Sequence, residues 1–281
     1  MHHSLPSVEE LYRSMGRMIV RFYGRTPGSD CVIASHAILG CSGLRSVFLN
    51  CGVVFGDAPS GDDSAEARLR EFVARIGARG VGGYVCLSEA VQAELGPLAR
   101  ELGLEPLPSI PLMARSGAAA ARRSADGPAG EHAAQQHPPP AGSAPPCRAE
   151  AVTTEAGLAE FLAVSDAAFD LPSDLYGRVV TLDLLDDPGL ELSLCRLDDA
   201  AVGCACVVDD EGLVGISGMA TLPAVQGRGV GGHLLEHVLR SHDERARAFF
   251  LTASEQGRRL YRRFDFEIVD AATAWVVPPE E

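Results

Sequence analysis

Between Ala114 and Ala151 the chain contains no Ile, Leu, Val, Met, Phe, Tyr or Trp. The segment is dominated by Ala, Gly, Pro, Ser, Arg and His, with Pro138-Pro139-Pro140 and Pro145-Pro146 inside it. Such a stretch cannot bury enough apolar surface to offset the entropy of ordering it. It reads as a flexible, partly polyproline-like linker over 114–151. His132 and His137, five residues apart within it, read as solvated side chains rather than metal ligands. A chain of 281 residues is thereby divided into an N-terminal part, 1–113, and a C-terminal part, 152–281. Each is long enough for one domain.

Composition narrows the function classes. Hydrophobic residues make up 46 % and charged residues 22 %, enough for packed cores. The formal charge is -14, which argues against sequence-independent nucleic-acid binding and leaves room for cationic substrates such as amines. All 24 basic residues are Arg, and Asn occurs once, at Asn50; with abundant Ala, Gly and Pro this is the signature of a high-GC, bacterial-like codon bias. The eight Cys form no C-x-x-C pair, so zinc-finger spacing is absent. Six of them lie in strand-like apolar runs, where free Cys is a small hydrophobe, and a reducing compartment is expected. Glu9, Glu10 and Arg13 interrupt the N-terminus, so no signal peptide is expected. No stretch reaches the ~18 apolar residues of a membrane span. The expectation is a soluble, cytoplasmic protein that uses neither nucleic acid nor membrane, with monomer and homodimer both open.

The N-terminal part opens with a helix: Ser7 and Glu10 form an S-x-x-E capping box ahead of Leu11, Met15, Met18 and Ile19. Strands are predicted at 31–35 and 46–55, a helix at about 64–77 and a strand at 83–87. Ser88 then caps a helix to Leu102, closed by Gly103, and Leu104 to Met113 is a Pro-interrupted strand. The C-terminal part is predicted to start with helices at 154–168 and 173–185. Leu190–Leu197 and Ala201–Val208 form a hairpin through Asp198-Asp199, and Leu213–Leu222 follows. Then come a glycine-rich loop, a helix at about 229–242, a strand at 247–253, a helix at 254–264 and a strand at 266–277. The order is ααβββαβαβ, an α/β (α+β) mixed sheet.

The loop carries the chemistry. Leu222-Pro223-Ala224-Val225-Gln226-Gly227-Arg228-Gly229-Val230-Gly231-Gly232-His233 runs from a strand into a helix. Glycines let the backbone turn with its amides pointing one way and let a ligand approach closely. Those amides and the helix N-terminus make an anion site suited to a pyrophosphate, and Arg228 can add a charge-assisted bond. A Walker A loop is excluded because the chain has no Lys. A dinucleotide fingerprint belongs on an early strand of a parallel βαβ unit, whereas this strand ends an antiparallel meander.

Gln226-Gly227-Arg228-Gly229-Val230-Gly231 resembles the Q/R-x-x-G-x-G/A signature of the GCN5-related N-acetyltransferases (GNAT). Thr252-Ala253-Ser254-Glu255-Gln256-Gly257-Arg258-Arg259-Leu260-Tyr261-Arg262-Arg263-Phe264-Asp265-Phe266 resembles a second block of that family, and the order of elements agrees with its fold. The resemblance covers roughly 150–281. It implies an acetyl-CoA-dependent N-acetyltransferase, moving the acetyl group to a small-molecule or peptide primary amine by direct attack, with no metal. It implies that Gln226, Gly227, Arg228, Gly229, Val230, Gly231 and Gly232 hold the pyrophosphate. A bulged strand at Met219, Ala220 and Thr221 would hold the pantetheine arm, and Ser254 and Gly257 would lie on the cofactor side of the next helix. Tyr261 matches the tyrosine that serves as general acid toward the leaving thiolate, while a strand amide stabilises the oxyanion. Read from the residues alone, Tyr261 is better explained as a packed helix residue beside Leu260 and Phe264; the resemblance tips the reading to the acid role. Two departures stand out: Asp265 replaces the usual Gly, and Leu213–Leu222 carries no carboxylate base. Deprotonation of the amine is then left to water, to Asp170 or Asp174, or to a carboxylate of the N-terminal part, with none of these singled out.

The region 81–113 echoes 247–277 in layout. Leu98-Ala99-Arg100-Glu101-Leu102-Gly103-Leu104-Glu105 aligns without gaps on Leu260-Tyr261-Arg262-Arg263-Phe264-Asp265-Phe266-Glu267, with Ala99 in place of Tyr261. Gly56 to Asp63 stands where a cofactor loop would sit, but it is acidic and should repel a pyrophosphate. The chain resembles tandem acetyltransferases with a degenerate first copy. A non-catalytic acyl-CoA-binding or regulatory protein of the same fold is the alternative. His233-Leu234-Leu235-Glu236-His237 formally matches the H-x-x-E-H zinc pattern, but it overlaps the helix that the loop already explains.

Overall fold

The computed structural model describes residues 5–56, 64–118, 147–172 and 175–278. The first half contains α1 (Val8–Tyr23), β1 (Asp30–Ile33), β2 (Ala37–Cys41), β3 (Asn50–Val54), α2 (Ala65–Gly77), β4 (Gly83–Leu87), α3 (Glu89–Glu101), β5 (Glu105–Pro106) and β6 (Ile110–Ser116). The second half contains β7 (Cys147–Ala151), α4 (Glu155–Phe169), β8 (Leu190–Leu197), β9 (Ala200–Asp210), β10 (Leu213–Thr221), α5 (Val230–His242), β11 (Ala248–Thr252), α6 (Glu255–Arg262) and β12 (Glu267–Val277). The mixed α/β class expected from the sequence is observed, with most strand pairs antiparallel.

Contacts divide the chain into two units. One comprises Pro6–Ala114, Gly177–Val180 and Phe250–Glu281; the other comprises Met1–Leu5, Arg115–Tyr176 and Thr181–Phe249, each in its described parts. These units differ from the division at 113 and 152, because the last 32 residues group with the N-terminal half. The physical reason is β12. It pairs with β4 from Thr273↔Leu87 to Val277↔Gly83 and with β6 from Glu267↔Ala114 to Ala272↔Ile110. Its Trp275, fully buried, joins Leu69, Phe72, Val85 and Leu95 in one core. The indole donates to Gln92 Oε1 at 3.2 Å, and the Arg100 guanidinium lies over the ring.

In this first unit the strand order is β1-β2-β3-β4-β12-β6, with β3 and β4 parallel. The capping box forms as expected: Glu10 N–H donates to Ser7 Oγ at 3.2 Å and Ser7 N–H to Glu10 Oε2 at 3.1 Å. The only asparagine of the chain, Asn50, is 0 % exposed. Its amide nitrogen donates to the carbonyls of Leu44, Ser46 and Gly82, each at 2.8 Å. Its oxygen accepts from Gly43 N–H and the Ser42 hydroxyl. The loop between β2 and β3 is thereby closed around one side chain.

The second unit holds β7 to β10 and the start of β11, in the order β11-β10-β9-β8-β7. Both tight turns use left-handed residues: Asp198 and Asp199 (φ 51° and 64°) join β8 to β9, and Glu211 and Gly212 (φ 53° and 83°) join β9 to β10. Arg196 on β8 ties β7 and α4 together through Glu150 at 2.6 Å and Glu160 at 2.5 Å.

Three expectations are corrected. The helix predicted at 173–185 is replaced by short 3₁₀ turns at Tyr176–Arg178 and Leu182–Asp186. Gly177 and the β-branched run Val179-Val180-Thr181 disfavour a helix there. The flanks of the predicted linker are structured, as the end of β6 and as β7, while 119–146 lies outside the described residues. The strand expected at 31–35 is β1, and a second strand that was not expected, β2, follows at Ala37–Cys41 and pairs with it.

Candidate active site

In the second unit, β10 loses register with β9 between Ser217 and Ala220: Ser217 faces Cys206 and Ala220 faces Cys204, so one extra residue is inserted. Gly218 takes φ 56°, the left-handed conformation such a bulge requires. Met219 therefore has no partner on β9. The Cys204 thiol donates to Gly218 O at 3.6 Å. Burial pushes the thiols of Cys204 and Cys206 up to about 12, so both are packing groups rather than nucleophiles.

Beyond Thr221 the chain makes a single 3₁₀ turn at Pro223–Val225. The Gln226 side-chain amide folds back to donate to Thr221 O at 3.3 Å. Gly227 (φ 76°) and Gly229 (φ 86°) are both left-handed, and at each the space where a Cβ would stand is open for 4 Å. Gly229 is the N-cap of α5 and offers no side-chain cap. The first bond of that helix is His233 N–H to Gly229 O at 3.1 Å. The amides of Val230, Gly231 and Gly232 precede it and have no intrahelical partner. Two left-handed glycines set two residues apart before an uncapped helix make a concavity lined by backbone N–H groups. Arg228 stands exposed beside it.

Sequence reasoning missed Gly203. A Cβ there would lie 3.0 Å from Val230 Cγ1 and 3.2 Å from Ala220 O. Its absence lets the start of α5 settle on β9, so the Val230 side chain is buried while its amide stays at the loop. A lone glycine within an apolar strand gave no signal for this.

Ser254, Gly257 and Tyr261 belong to the first unit. Ser254 caps α6, its Oγ accepting from Gly257 N–H at 3.0 Å. A Cβ on Gly257 would meet Tyr261 Cε2 at 2.9 Å, so this glycine makes room for the ring. Tyr261 is 7 % exposed and tilts against Phe266 with centroids 5.9 Å apart. Burial pushes its phenol up to about 12. Asp265 adopts φ 62° and closes the helix as a glycine would, with Phe266 N–H donating to Tyr261 O at 3.2 Å.

His237 lies on α5 3.8 Å from Glu191, and among the described residues no group of three His, Cys, Asp or Glu is arranged for a metal ion. Asp170 is the exposed, left-handed C-cap of α4. Asp174 and residues 57–63 lie outside the described residues.

Residues 189–268, which include the bulge and the loop, match the family model "Acetyltransferase (GNAT) domain". Over this stretch the chain is similar to GNAT domains. Solved structures extend the likeness in fold beyond it. A GCN5-related N-acetyltransferase from Kribbella flavida matches with TM-score 0.66 and 16 % identity, over 98 % of this chain and 97 % of its own. Another from Sphaerobacter thermophilus gives 0.60 and 17 %, over 99 % and 98 %. A functionally unknown conserved protein from Staphylococcus epidermidis gives 0.58 and 14 %, over 92 % and 98 %. No curated protein matches the sequence. The likeness in fold thus spans nearly the whole chain, whereas the GNAT family model covers only the part with the glycine-rich loop. Among the described residues no helix is long and apolar enough to cross a membrane.

Proposed function

We propose that the protein is an acetyl-CoA-dependent N-acetyltransferase acting on a primary amine, with its catalytic machinery in 152–281. The observation that carries this reading is the continuous run from the bulge at Ser217–Ala220 to the uncapped N-terminus of α5. Gln226, Gly227, Arg228, Gly229, Val230, Gly231 and Gly232 offer backbone donors and one cation to a pyrophosphate. Met219, Ala220 and Thr221 offer strand backbone to an extended pantetheine arm. Ser254 and Gly257 shape the start of α6, and Tyr261 is the proton donor toward the leaving sulfur. With its phenol at about 12, full transfer to a thiolate of ordinary pKa ~8.5 would be uphill by roughly 5 kcal/mol. Tyr261 therefore serves chiefly by hydrogen bonding to the developing charge. The formal charge of -14 favours a cationic acceptor.

The N-terminal half is read as a degenerate copy of the same fold. The ends of α3 and α6 support this. Gly103 (φ 78°) aligns with Asp265 (φ 62°), and Leu104 N–H to Ala99 O repeats Phe266 N–H to Tyr261 O. Among its described residues that half shows no equivalent opening: β3 and β4 stay paired to Val54↔Leu87, and Ser88 N–H then donates to Val54 O at 3.1 Å. The N-terminus of α3 is already occupied by the buried Asp270 carboxylate, which accepts from Glu89 N–H at 3.3 Å and from the Tyr12 hydroxyl at 2.5 Å.

Calorimetric titration of acetyl-CoA into the full chain, beside a Gly229→Glu variant, tests the reading. Binding to the wild type that is lost in the variant is expected, together with turnover across a panel of primary amines. A wild type that binds no acetyl-CoA would overturn it.

A further inference from the structure

The bulge in β10 faces a side chain that neither the family motifs nor the sequence reading singled out. Tyr176 begins the 3₁₀ turn that follows α4, and its ring is partly buried within the second unit. Its hydroxyl lies 3.6 Å from the point where a Cβ on Gly218 would stand. Gly218 therefore leaves a notch between the phenol and the strand, at the residue where β10 departs from its ladder. Among the described residues no hydrogen bond uses this hydroxyl. Burial, followed by the charges of Cys206, Cys204 and Asp166, raises the phenol well above its ordinary value, so it holds its proton throughout the neutral and mildly alkaline range. A protonated O–H beside unpaired strand backbone is a hydrogen-bond donor without an acceptor among the described residues.

We propose that Tyr176 donates this hydrogen bond to the carbonyl oxygen of the acetyl thioester, and so is a second catalytic tyrosine of the chain. The proposal rests on the acetyltransferase reading above. Distance along the strand supports the assignment. At ~3.3 Å per residue, Gly218 lies about 10 Å back from Thr221, away from the pyrophosphate loop. That is the end of β10 where the acyl group of an arm running down the strand would come to rest. In the transfer the amine nitrogen forms the C–N bond, the C–S bond breaks, and sulfur leaves with the bonding pair. The surplus proton of the amine ends on the thiolate. The phenol keeps its own proton and stabilises the negative charge that builds on the carbonyl oxygen between attack and departure.

The test compares acetyl-CoA with CoA, which lacks the carbonyl, in calorimetric titrations of the wild type and Tyr176→Phe. The variant keeps the ring and removes one oxygen, and its thermal midpoint shows whether the fold is kept. CoA is expected to bind both proteins alike, while acetyl-CoA binds the variant about three- to tenfold more weakly, the worth of one neutral hydrogen bond. With a primary-amine panel, kcat should fall about 10- to 100-fold, since the bond strengthens in the transition state. Unchanged acetyl-CoA affinity and kcat within twofold of wild type would overturn the role of Tyr176 while leaving the acetyltransferase reading in place. A wild type that binds neither ligand would overturn both. For a variant that unfolds, Gly218→Ala tests the same notch from the strand side: an added methyl 3.6 Å from the hydroxyl should weaken acetyl-CoA more than CoA, and equal weakening of the two would refute the proposal.

Discussion

Replacing Asn50 by alanine should destabilise the first unit by about 3–5 kcal/mol. The figure follows from what the side chain satisfies. Its two N–H bonds serve three carbonyls, those of Leu44, Ser46 and Gly82. Its oxygen serves the Gly43 amide and the Ser42 hydroxyl. Gly43 is exposed and Ser46 half-buried, so water can replace the bonds they lose. Leu44 O, Gly82 O and Ser42 Oγ are buried, and each orphaned buried group costs ~1–3 kcal/mol; the total falls in the lower part of the summed range because Ser42 Oγ keeps its bond from Leu44 N–H. The assay is urea unfolding followed by tryptophan fluorescence. Trp275 is the only tryptophan and sits in this unit's core, so the signal reports this unit directly. With a slope of ~2 kcal/mol per molar urea, the midpoint should fall by about 2 M. Asn50→Asp should do at least as much harm, because it sets a carboxylate oxygen against three carbonyls. A midpoint shift under about 0.5 M for Asn50→Ala would refute the reasoning and show that the loop between β2 and β3 closes without this side chain.

Two further outcomes are expected. Trp275→Ala should cost ~3–5 kcal/mol and, followed by circular dichroism in urea, should unfold elements encoded in the first 114 residues although the substitution lies in the last strand of the chain; a loss confined to residues after 250 in hydrogen exchange would contradict the pairing of β12 with β4. Stability should also fall on acidification in two stages. Burial, reinforced by Arg240 and His242 and opposed by Glu191, lowers His237 below its ordinary 6.5, so its contribution is present above about pH 6.5 and is lost as pH drops through that value toward the folded pKa. Desolvation would raise Glu191, but hydrogen bonds from His242 and Ser193 and the charges of His242 and His237 outweigh it and hold Glu191 low; its contribution is present above ~4.5 and disappears below. Thermal melts of wild type and His237→Gln between pH 4 and 8 check this: the upper stage should vanish in the variant, and an unchanged profile would dismiss it.

The elements of the C-terminal half were legible because their local chemistry is explicit. Asp198-Asp199 announces a tight turn, and Gly227 and Gly229 sit where only a left-handed backbone continues the chain. What stayed hidden was either backbone-only or non-local. β7, Cys147-Arg148-Ala149-Glu150-Ala151, carries no large apolar residue. It holds its place through ladder bonds to β8, which an apolarity criterion does not register. Tyr176 lay inside a segment read as helix, where a tyrosine is an unremarkable residue. Gly203 matters for what it lets approach, which only the packed structure reveals. The alternation of β12 predicts a strand well but is silent about which neighbour accepts it. That is why the division at 152 and the compact units differ.

The pairing of β12 also sets a timetable for making the protein. A ribosome releases residues 6–114 early, yet the strand that fills the space beside β4 emerges roughly 150 residues later. At 5–20 residues per second, that is about 8–30 s. During this interval the nascent N-terminal half exposes an open sheet edge and the apolar cleft that Trp275 will occupy, a natural target for holding chaperones and for wrong pairing with a neighbouring chain on the same message. A premature stop near the end of the gene would extend that interval indefinitely, so a truncation at the C-terminus should present as an aggregation defect of the N-terminal half.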